Sequence, residues 1–297
     1  MSRLFGLAVM LAACKVQLAD NADGGGLFSA DAGVSDSTSG DAVVTLGPWG
    51  TPMKHPRASS ATLAEDDGAL RFDGLEMTFS VANAADGNLK DLFVTTRASL
   101  TDAWTPATKL SFSVIGASDE TPRFSADGLT LYFASGRPGG AGLLDIYSVT
   151  RTALTTAWNA PTLVSGPNSA LLEKTYTPCG TTYLVIRDGE IAEGTIGAAP
   201  TINTTLSDPA TPETGPFMTP DCLTTYFASA RGGGATKLYM STRTSTGAAW
   251  TTPAVFAEFA ALGGEQEDPW LSPDGRIFSF AMSTAATTKD QYLVTRQ

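Results

Sequence analysis

Apolar and polar residues alternate in short stretches along most of this chain. In one such stretch, Leu131, Phe133 and Ser135 fall on one side of an extended strand, and Tyr132 and Ala134 fall on the other. A Ser-x-Asp-Gly turn comes shortly before it, and glycine accepts the positive φ that a tight hairpin turn needs. The pattern therefore predicts β-hairpins.

This turn-and-strand unit recurs five times, about every fifty residues. Most copies continue with a third strand that ends in Tyr-x-x-x-Arg or a variant of it, and then with a Trp and Pro element. Proline suits an edge strand, where a missing N–H is tolerated. The aligned turns are Arg71-Phe72-Asp73-Gly74, Ser125-Ala126-Asp127-Gly128, Thr177-Pro178-Cys179-Gly180, Thr219-Pro220-Asp221-Cys222 and Ser272-Pro273-Asp274-Gly275.

Four short strands per repeat predict an all-β fold, a five-bladed β-propeller. The repeats open at Trp49 with a fourth-strand signature and end at Arg296, where a third strand finishes. We therefore expect the N-terminal strand to complete the last blade and close the ring without a covalent link. The third copy is degenerate, because the region from Gly189 to Leu206 lacks the Trp and the Tyr–Arg pattern.

Residues 49–297 resemble the TolB-like, WD-type propeller repeats of bacterial envelope proteins. The resemblance depends on the Ser-x-Asp-Gly turn, the aromatic strand, a Ser-x-Arg-x-Gly-Gly turn and the Asp-x-Tyr-x-x-x-Arg strand. It fits copies two and five well, copies one and four in part, and copy three poorly. It implies a role in binding other envelope proteins or cell-wall components.

The first residues have the order of a bacterial lipoprotein precursor. Arg3 and an apolar run predict a signal peptide over residues 1–13, and the ending Leu-Ala-Ala-Cys predicts lipidation of Cys14. Residues 14–48 are rich in Ala, Gly, Asp and Ser and predict a disordered tether. Lys15 after the cysteine favours the outer membrane by the sorting rule of enteric lipoproteins. The alternatives are an ordinary signal peptide or a buried first strand.

The composition excludes some partners. The net charge of −11 disfavours nucleic acids and anionic lipid surfaces, and no stretch has the roughly 18–20 apolar residues of a spanning helix. We expect a monomeric propeller that meets the membrane only through its lipid. His55 is the only histidine, so a His-based metal site or a Ser-His-Asp triad has little support.

An acidic residue precedes each turn. Because the first strand of a blade lines the central channel, we predict an acidic ring at the channel mouth that attracts a cation or a Lys- or Arg-bearing peptide. The alternative is a scaffold role in capping or ion pairing, which the presence of an acid in every copy favours. The predicted ring consists of Asp66 (or Asp67), Glu120, Glu173, Glu213 and Glu267 (or Asp268).

Two further cysteines depart from the repeat. Cys179 replaces the Asp of the third turn, and Cys222 replaces the Gly of the fourth. Equivalent turns of neighbouring blades lie on one face, so an oxidising envelope allows a disulfide between them if their Cα atoms come within about 7 Å. The alternative is two isolated thiols.

The sequence therefore predicts a lipid-anchored envelope scaffold that docks a protein or peptide on the propeller face or channel mouth. It predicts no catalytic residue, no enzyme activity and no cofactor. The competing interpretation is a carbohydrate-active hydrolase that uses channel carboxylates as acid and base, as five-bladed glycosidases of arabinans and fructans do. No pair of carboxylates stands out from the repeat to favour it.

Overall fold

The computed structural model describes residues 46–59, 63–283 and 288–297. The predicted signal peptide, Cys14 and most of the predicted tether lie outside these residues. In the described part of the chain, no helix is both long enough and apolar enough to cross a membrane.

Five four-stranded antiparallel sheets form the blades of a β-propeller, which confirms the predicted fold class. Blades 1 and 2 consist of β2 (Glu65–Leu70), β3 (Glu76–Asn83), β4 (Leu89–Thr96), β5 (Thr108–Lys109), β6 (Asp119–Phe124), β7 (Thr130–Ser135), β8 (Asp145–Thr150) and β9 (Thr162–Leu163). Blades 3 and 4 consist of β10 (Glu173–Cys179), β11 (Thr182–Arg187), β12 (Glu190–Thr195), β13 (Thr201–Ile202), β14 (Glu213–Met218), β15 (Thr224–Ser229), β16 (Lys237–Thr242) and β17 (Ala254–Val255). Blade 5 consists of β18 (Glu265–Leu271), β19 (Ile277–Ser283), β20 (Asp290–Thr295) and β1 (Met53–Lys54), and the two short helices are a 3₁₀ turn (Ala84–Asp86) and α1 (Ala257–Ala260).

The ring closes as predicted, because β1 supplies the outer strand of blade 5. Met53 pairs with Leu293 in an antiparallel register, and the Lys54 ammonium lies 2.5 Å from the Asp290 carboxylate. The first and last strands of the propeller are thus held together by hydrogen bonds and an ion pair.

Large aromatic side chains on the second strand of four blades fill the layers between the sheets. Each is almost fully buried and lies against an aromatic residue of the third strand, at centroid distances between 5.8 and 6.3 Å. Burying a side chain of this size contributes about 1.5–3 kcal/mol. Val185 and Ala192 occupy these two positions in blade 3. The four pairs are Phe79–Phe93, Phe133–Tyr147, Phe227–Tyr239 and Phe280–Tyr292.

The recurring Arg and Trp form an arginine clamp, in which the guanidinium lies over the indole and donates to the first turn of its own blade. In blade 2, the Arg151 guanidinium is 4.1 Å from the Trp158 ring centre, and its Nε donates to the Gly128 carbonyl at 3.0 Å. The same two contacts occur in blades 1, 4 and 5. The repeated residues therefore stabilise the blade. The other clamps are Arg97 with Trp104 and Gly74, Arg243 with Trp250 and Cys222, and Arg296 with Trp49 and Gly275.

Blade 3 has no clamp among the described residues, because Ile196 occupies the position of the arginine. A disulfide between Cys179 and Cys222 instead joins its first turn to that of blade 4, with the Cα atoms 5.6 Å apart. The carboxylate of Glu193 also reaches blade 4, where it accepts from Arg243 at 2.7 Å. The degenerate blade is thus stabilised by its neighbour.

His55 lies where the closing strand leads into blade 1. Its side chain is fully buried, and its Nδ1 accepts from the backbone N–H groups of Arg57 and Ala58 at 3.2 and 3.1 Å. Burial, reinforced by the positive charge of Arg97, lowers the pKa of His55 to about 3. The imidazole is therefore neutral in the folded protein at the pH of most cellular compartments.

Replacing both Cys179 and Cys222 with serine should lower the free energy of unfolding by about 2–4 kcal/mol, because the unfolded chain gains the freedom of an opened loop. Chemical denaturation measures this change. Wild-type protein in strong reductant serves as the control and should match the double variant. Two titratable thiols from these positions in unfolded, unreduced wild-type protein would contradict the bond.

Below about pH 6.5 the unfolded protein protonates His55 and the folded protein does not, so stability should fall as the pH decreases toward about 3. The slope from this group approaches about 1.4 kcal/mol per pH unit. Denaturation of wild type and His55→Asn at several pH values measures the difference, since the Asn carbonyl can still accept from the loop. A single imidazole NMR signal that titrates near pH 6.5 in the folded protein would disprove this assignment.

Candidate functional site

The first strands of the blades form the innermost ring, in which β2, β6, β10, β14 and β18 contact one another in cyclic order. Each of these strands has a β-bulge directly after its second paired residue, or after its third in β18. The residue at the bulge has a φ between 50° and 59° in every blade, which costs free energy for a β-branched residue such as Thr121 or Thr175. The five bulge residues are Asp67, Thr121, Thr175, Gly215 and Asp268.

The bulge separates the predicted acidic ring into two sets. Glu173 and Glu213 occupy the position two residues before the bulge, and they pair with the arginine that follows or ends the second strand of their own blade. Arg187 lies 3.2 Å from Glu173, and Arg231 lies 2.7 Å from Glu213. Burial raises the pKa of Glu213, although Arg231 opposes this shift. For these two residues the contacts support the scaffold alternative.

Asp66, Glu120 and Glu267 occupy the next position, immediately before the bulge. The bulge itself adds the carboxylates of Asp67 and Asp268. These five acids belong to blades 5, 1 and 2, so they line one side of the innermost ring.

Three lysines lie between these acids. The ammonium of Lys90 is 2.9 Å from Asp66, 2.8 Å from Asp67 and 3.5 Å from Glu120, so it joins blades 1 and 2. Burial opposes the charge of Lys90, but the carboxylates outweigh burial and raise its pKa.

The other two lysines extend the contacts to the neighbouring blades. Lys289 bridges Glu267 at 2.6 Å and Asp66 at 3.2 Å, and thus connects blade 5 to blade 1. Lys174 lies 3.1 Å from Glu120 and connects blade 3 to blade 2. Charges therefore alternate across four blades. We call this set the charge network; its members are Asp66, Asp67, Lys90, Glu120, Lys174, Glu267, Asp268 and Lys289.

The lysines are the more accessible members of the charge network. Their side chains are between 22% and 32% exposed, whereas those of Asp67 and Glu120 are each 8% exposed. The lysine side chains are thus the most exposed part of the network, and the side chains of Asp66 and Glu267, 13% and 19% exposed, also reach solvent. The repeats in the sequence suggested an acidic surface, because they do not indicate that the lysines lie next to the acids.

Asp67 and Asp268 are neighbours whose carboxyl pKa values are shifted in opposite directions. The Asp67 N–H donates to Asp268 Oδ2 at 3.3 Å. Burial of Asp67 disfavours its charge, but Lys90 outweighs burial and lowers the pKa of this carboxyl. Burial, followed by the negative charges of Asp67 and Asp66, raises the pKa of Asp268 well above its usual value. The surroundings of the pair therefore favour the charged form of Asp67 and the protonated form of Asp268.

Arg123 lies next to this pair and is also buried. Its Nη2 is 4.0 Å from Asp268, and its Nη1 donates to the Pro122 carbonyl at 2.9 Å. Burial lowers the pKa of Arg123, while the charges of Asp268 and Asp67 oppose this shift. A guanidinium remains charged at any pH relevant to a protein, so Arg123 adds a fourth cation.

Oxygen atoms of Asp66, Asp67 and Asp268 lie within 4.8 Å of one another, an arrangement that suits a hard cation. However, the ammonium of Lys90 already contacts Asp66 and Asp67, and Arg123 lies beside Asp268. A metal ion here would have to displace Lys90. The internal cations therefore compete with the predicted cation site.

A sequence signal for two of the lysines exists outside the first strand. Lys90 and Lys289 both directly precede an aspartate of a third strand, Asp91 and Asp290. The aligned turn motifs do not include Lys90 or Lys289. In the structure this position lies close enough to the innermost strands for an ammonium to reach their carboxylates.

No protein-family model and no curated protein matches this chain. Solved structures match it at low identity. They include a TolB from Agrobacterium tumefaciens, with 17% identity, a TM-score of 0.50 and coverage of 75% of this chain and 71% of that one. Another is an α-L-arabinofuranosidase from Podospora anserina in complex with cellotriose, with 13% identity, a TM-score of 0.52 and coverage of 84% and 95%.

An endo-arabinase from Bacteroides thetaiotaomicron is a third, with 12% identity, a TM-score of 0.54 and coverage of 80% and 96%. Identities this low establish the fold alone, since one propeller fold serves many functions. The chain has a TolB-like β-propeller fold.

Proposed function

We propose that this protein is a cell-envelope scaffold that docks a protein or peptide partner through the charge network at the channel mouth. The observation that carries the proposal is the internal ion pairing of this network. Each of its five acidic side chains lies within 4.0 Å of the cation of a lysine or of Arg123. No acid in the network is left to act alone on a substrate.

Partly exposed ion pairs suit exchange with a partner. A pair of this kind is worth about 0–1 kcal/mol, so a charged group of a partner can replace one member at little cost. Lys174 is the most exposed lysine of the network and has a single carboxylate neighbour, Glu120. It is therefore the first group that a partner would meet.

The proposed location depends on the N-terminal sequence. A signal peptide over residues 1–13, lipid on Cys14 and a tether over residues 14–48 would hold the propeller at a membrane while leaving it free in the periplasm. Lys15 favours the outer membrane. The TolB-like fold is consistent with an envelope protein.

Hydrolysis of a glycosidic bond is the second candidate, and one observation favours it. Asp67 and Asp268 are close together, and their pKa values are shifted in opposite directions, as in acid–base pairs of glycosidases. Against it, their side chains are only 8% and 3% exposed, and Asp67 already bonds to Lys90 and Ser80. We therefore favour the scaffold.

Replacing Lys174 with glutamate should reduce capture of the partner from crosslinked membranes at least tenfold. The new carboxylate would repel that of Glu120, which Lys174 contacts in the wild type, at the docking site. Lys109→Glu is the matched control: Lys109 is 33% exposed and lies 2.6 Å from Asp91 on the outer side of blade 1. Quantitative mass spectrometry of the captured proteins, with melting temperatures for both variants, measures the difference.

Equal capture by Lys174→Glu and the wild type would contradict the docking site. Hydrolysis of 4-nitrophenyl α-L-arabinofuranoside by the wild type, abolished in Asp268→Asn, would favour the enzyme instead.

Replacing Cys14 with alanine should release the protein from membranes into the soluble periplasmic fraction, because an acyl chain contributes about 0.8 kcal/mol per buried CH₂ to membrane binding. Fractionation and metabolic labelling with palmitate measure this. A Cys179→Ser/Cys222→Ser variant is the control and should stay on the membrane. If Cys14→Ala remains membrane-bound and unlabelled, another anchor holds the protein.

A further inference from the structure

Two exposed leucines lie together beside the charge network. The side chain of Leu143 is 73% exposed and that of Leu171 is 45% exposed. Their segments are joined, because the Leu143 N–H donates to the Leu171 carbonyl at 3.2 Å. Leu143 belongs to the loop between the second and third strands of blade 2, and Leu171 to the connection into blade 3.

Both leucines lie on the same face as the network. The first strand of each blade begins at this face, and Leu171 lies three residues before Lys174 in sequence. Ile115, which is 83% exposed, lies in the corresponding connection into blade 2. Ser118 of that connection contacts the Glu120 carboxylate at 3.3 Å. Leu171 and Ile115 are therefore each three residues in sequence from a residue that belongs to the charge network or contacts it.

The propeller fold does not require Leu143, Leu171 and Ile115 to be exposed. In the connection into blade 4, Leu206 is fully buried, and in the connection into blade 5 Phe256 and Phe259 are buried. The connection into blade 2 likewise buries Leu110 and Phe112, so the core there is filled without Ile115. Leu143, Leu171 and Ile115 lie outside the core and offer apolar area to a ligand, and we call them the apolar rim.

We infer that the apolar rim and the lysines of the charge network together dock a segment of a protein partner that carries acidic and aliphatic side chains. The inference deepens the proposed scaffold function and depends on it. Charge complementarity selects the acidic side chain, because the side chains of Lys174 and Lys90 are more exposed than that of Glu120, which both contact. The rim then receives the neighbouring aliphatic side chain.

In this arrangement an acidic group of the partner replaces Glu120 in the ion pair with Lys174. Glu120 keeps a second cation, Lys90 at 3.5 Å, so it is not left unpaired in a partly buried place.

Random dodecapeptides displayed on phage and selected on the immobilised full-length protein provide the probe. Selected peptides should be enriched in Asp or Glu near Leu, Ile, Val or Phe. Synthetic copies should bind Leu143→Ser/Leu171→Ser and Lys174→Glu at least tenfold more weakly than the wild type, as measured by calorimetry. Ile196→Ser/Val255→Ser is the matched control, because those side chains are 51% and 43% exposed on other parts of the propeller.

Selected peptides that are basic, or that bind the leucine double variant as tightly as the wild type, would overturn the inference. So would a selection without binders. Binding to phosphatidylglycerol vesicles that is lost in the double variant would assign the rim to a membrane, and self-association lost in that variant would assign it to a second copy. Melting temperatures identify any variant that fails to fold, in which case Leu143→Ala/Leu171→Ala replaces it.

This result can be separated from that of the proposed function. Capture of the membrane partner that falls in Lys174→Glu but stays unchanged in Leu143→Ser/Leu171→Ser would keep the scaffold and reject the rim. Capture that is unaffected by either variant rejects both.

Discussion

The structure depends on closure of the ring between blade 5 and blade 1. Every blade needs two neighbours to bury both faces of its sheet, so an open ring would expose one side of two blades. Closure here is made without a covalent bond, by pairing β1 with β20 and by the ion pair of Lys54 with Asp290. Lys289 crosses the same junction on the inside, where it joins Glu267 to Asp66. The junction therefore belongs to both the fold and the charge network.

The repeats in the sequence were sufficient to predict the fold. Turn residues such as Asp127 and Gly128, the alternating strand after them and the unequal ends of the repeat array determined blade number and closure. The pattern of turn and strand is local and recurs in each copy. A copy that has lost part of the pattern therefore does not change the predicted fold. The degenerate third copy still forms four strands, because the hydrogen bonds between its strands do not need the missing Arg and Trp.

The site was less predictable, because the acids were aligned by their distance from the turn. A bulge between acid and turn changes which side chain faces which neighbour, and a shift of one residue reverses the face of a strand. Glu213 therefore belongs with Arg231, although in sequence it resembles Glu120. The lysines come from other strands and other blades, so no local pattern brings them together. The disulfide was an open question for a similar reason: its geometry depends on how neighbouring turns are placed.

The bulge also determines which changes the inner ring can accept over evolutionary time. A residue with positive φ is best supplied by Gly, Asn or Asp, and a β-branched residue such as Thr121 or Thr175 costs free energy at this position. The residue just before the bulge has no such backbone restriction and is Asp, Glu, Lys or Thr in different blades. Each blade thus carries one constrained and one adaptable position side by side. A propeller of this kind can acquire a new ligand by changing the adaptable residues alone, without altering the backbone that holds them.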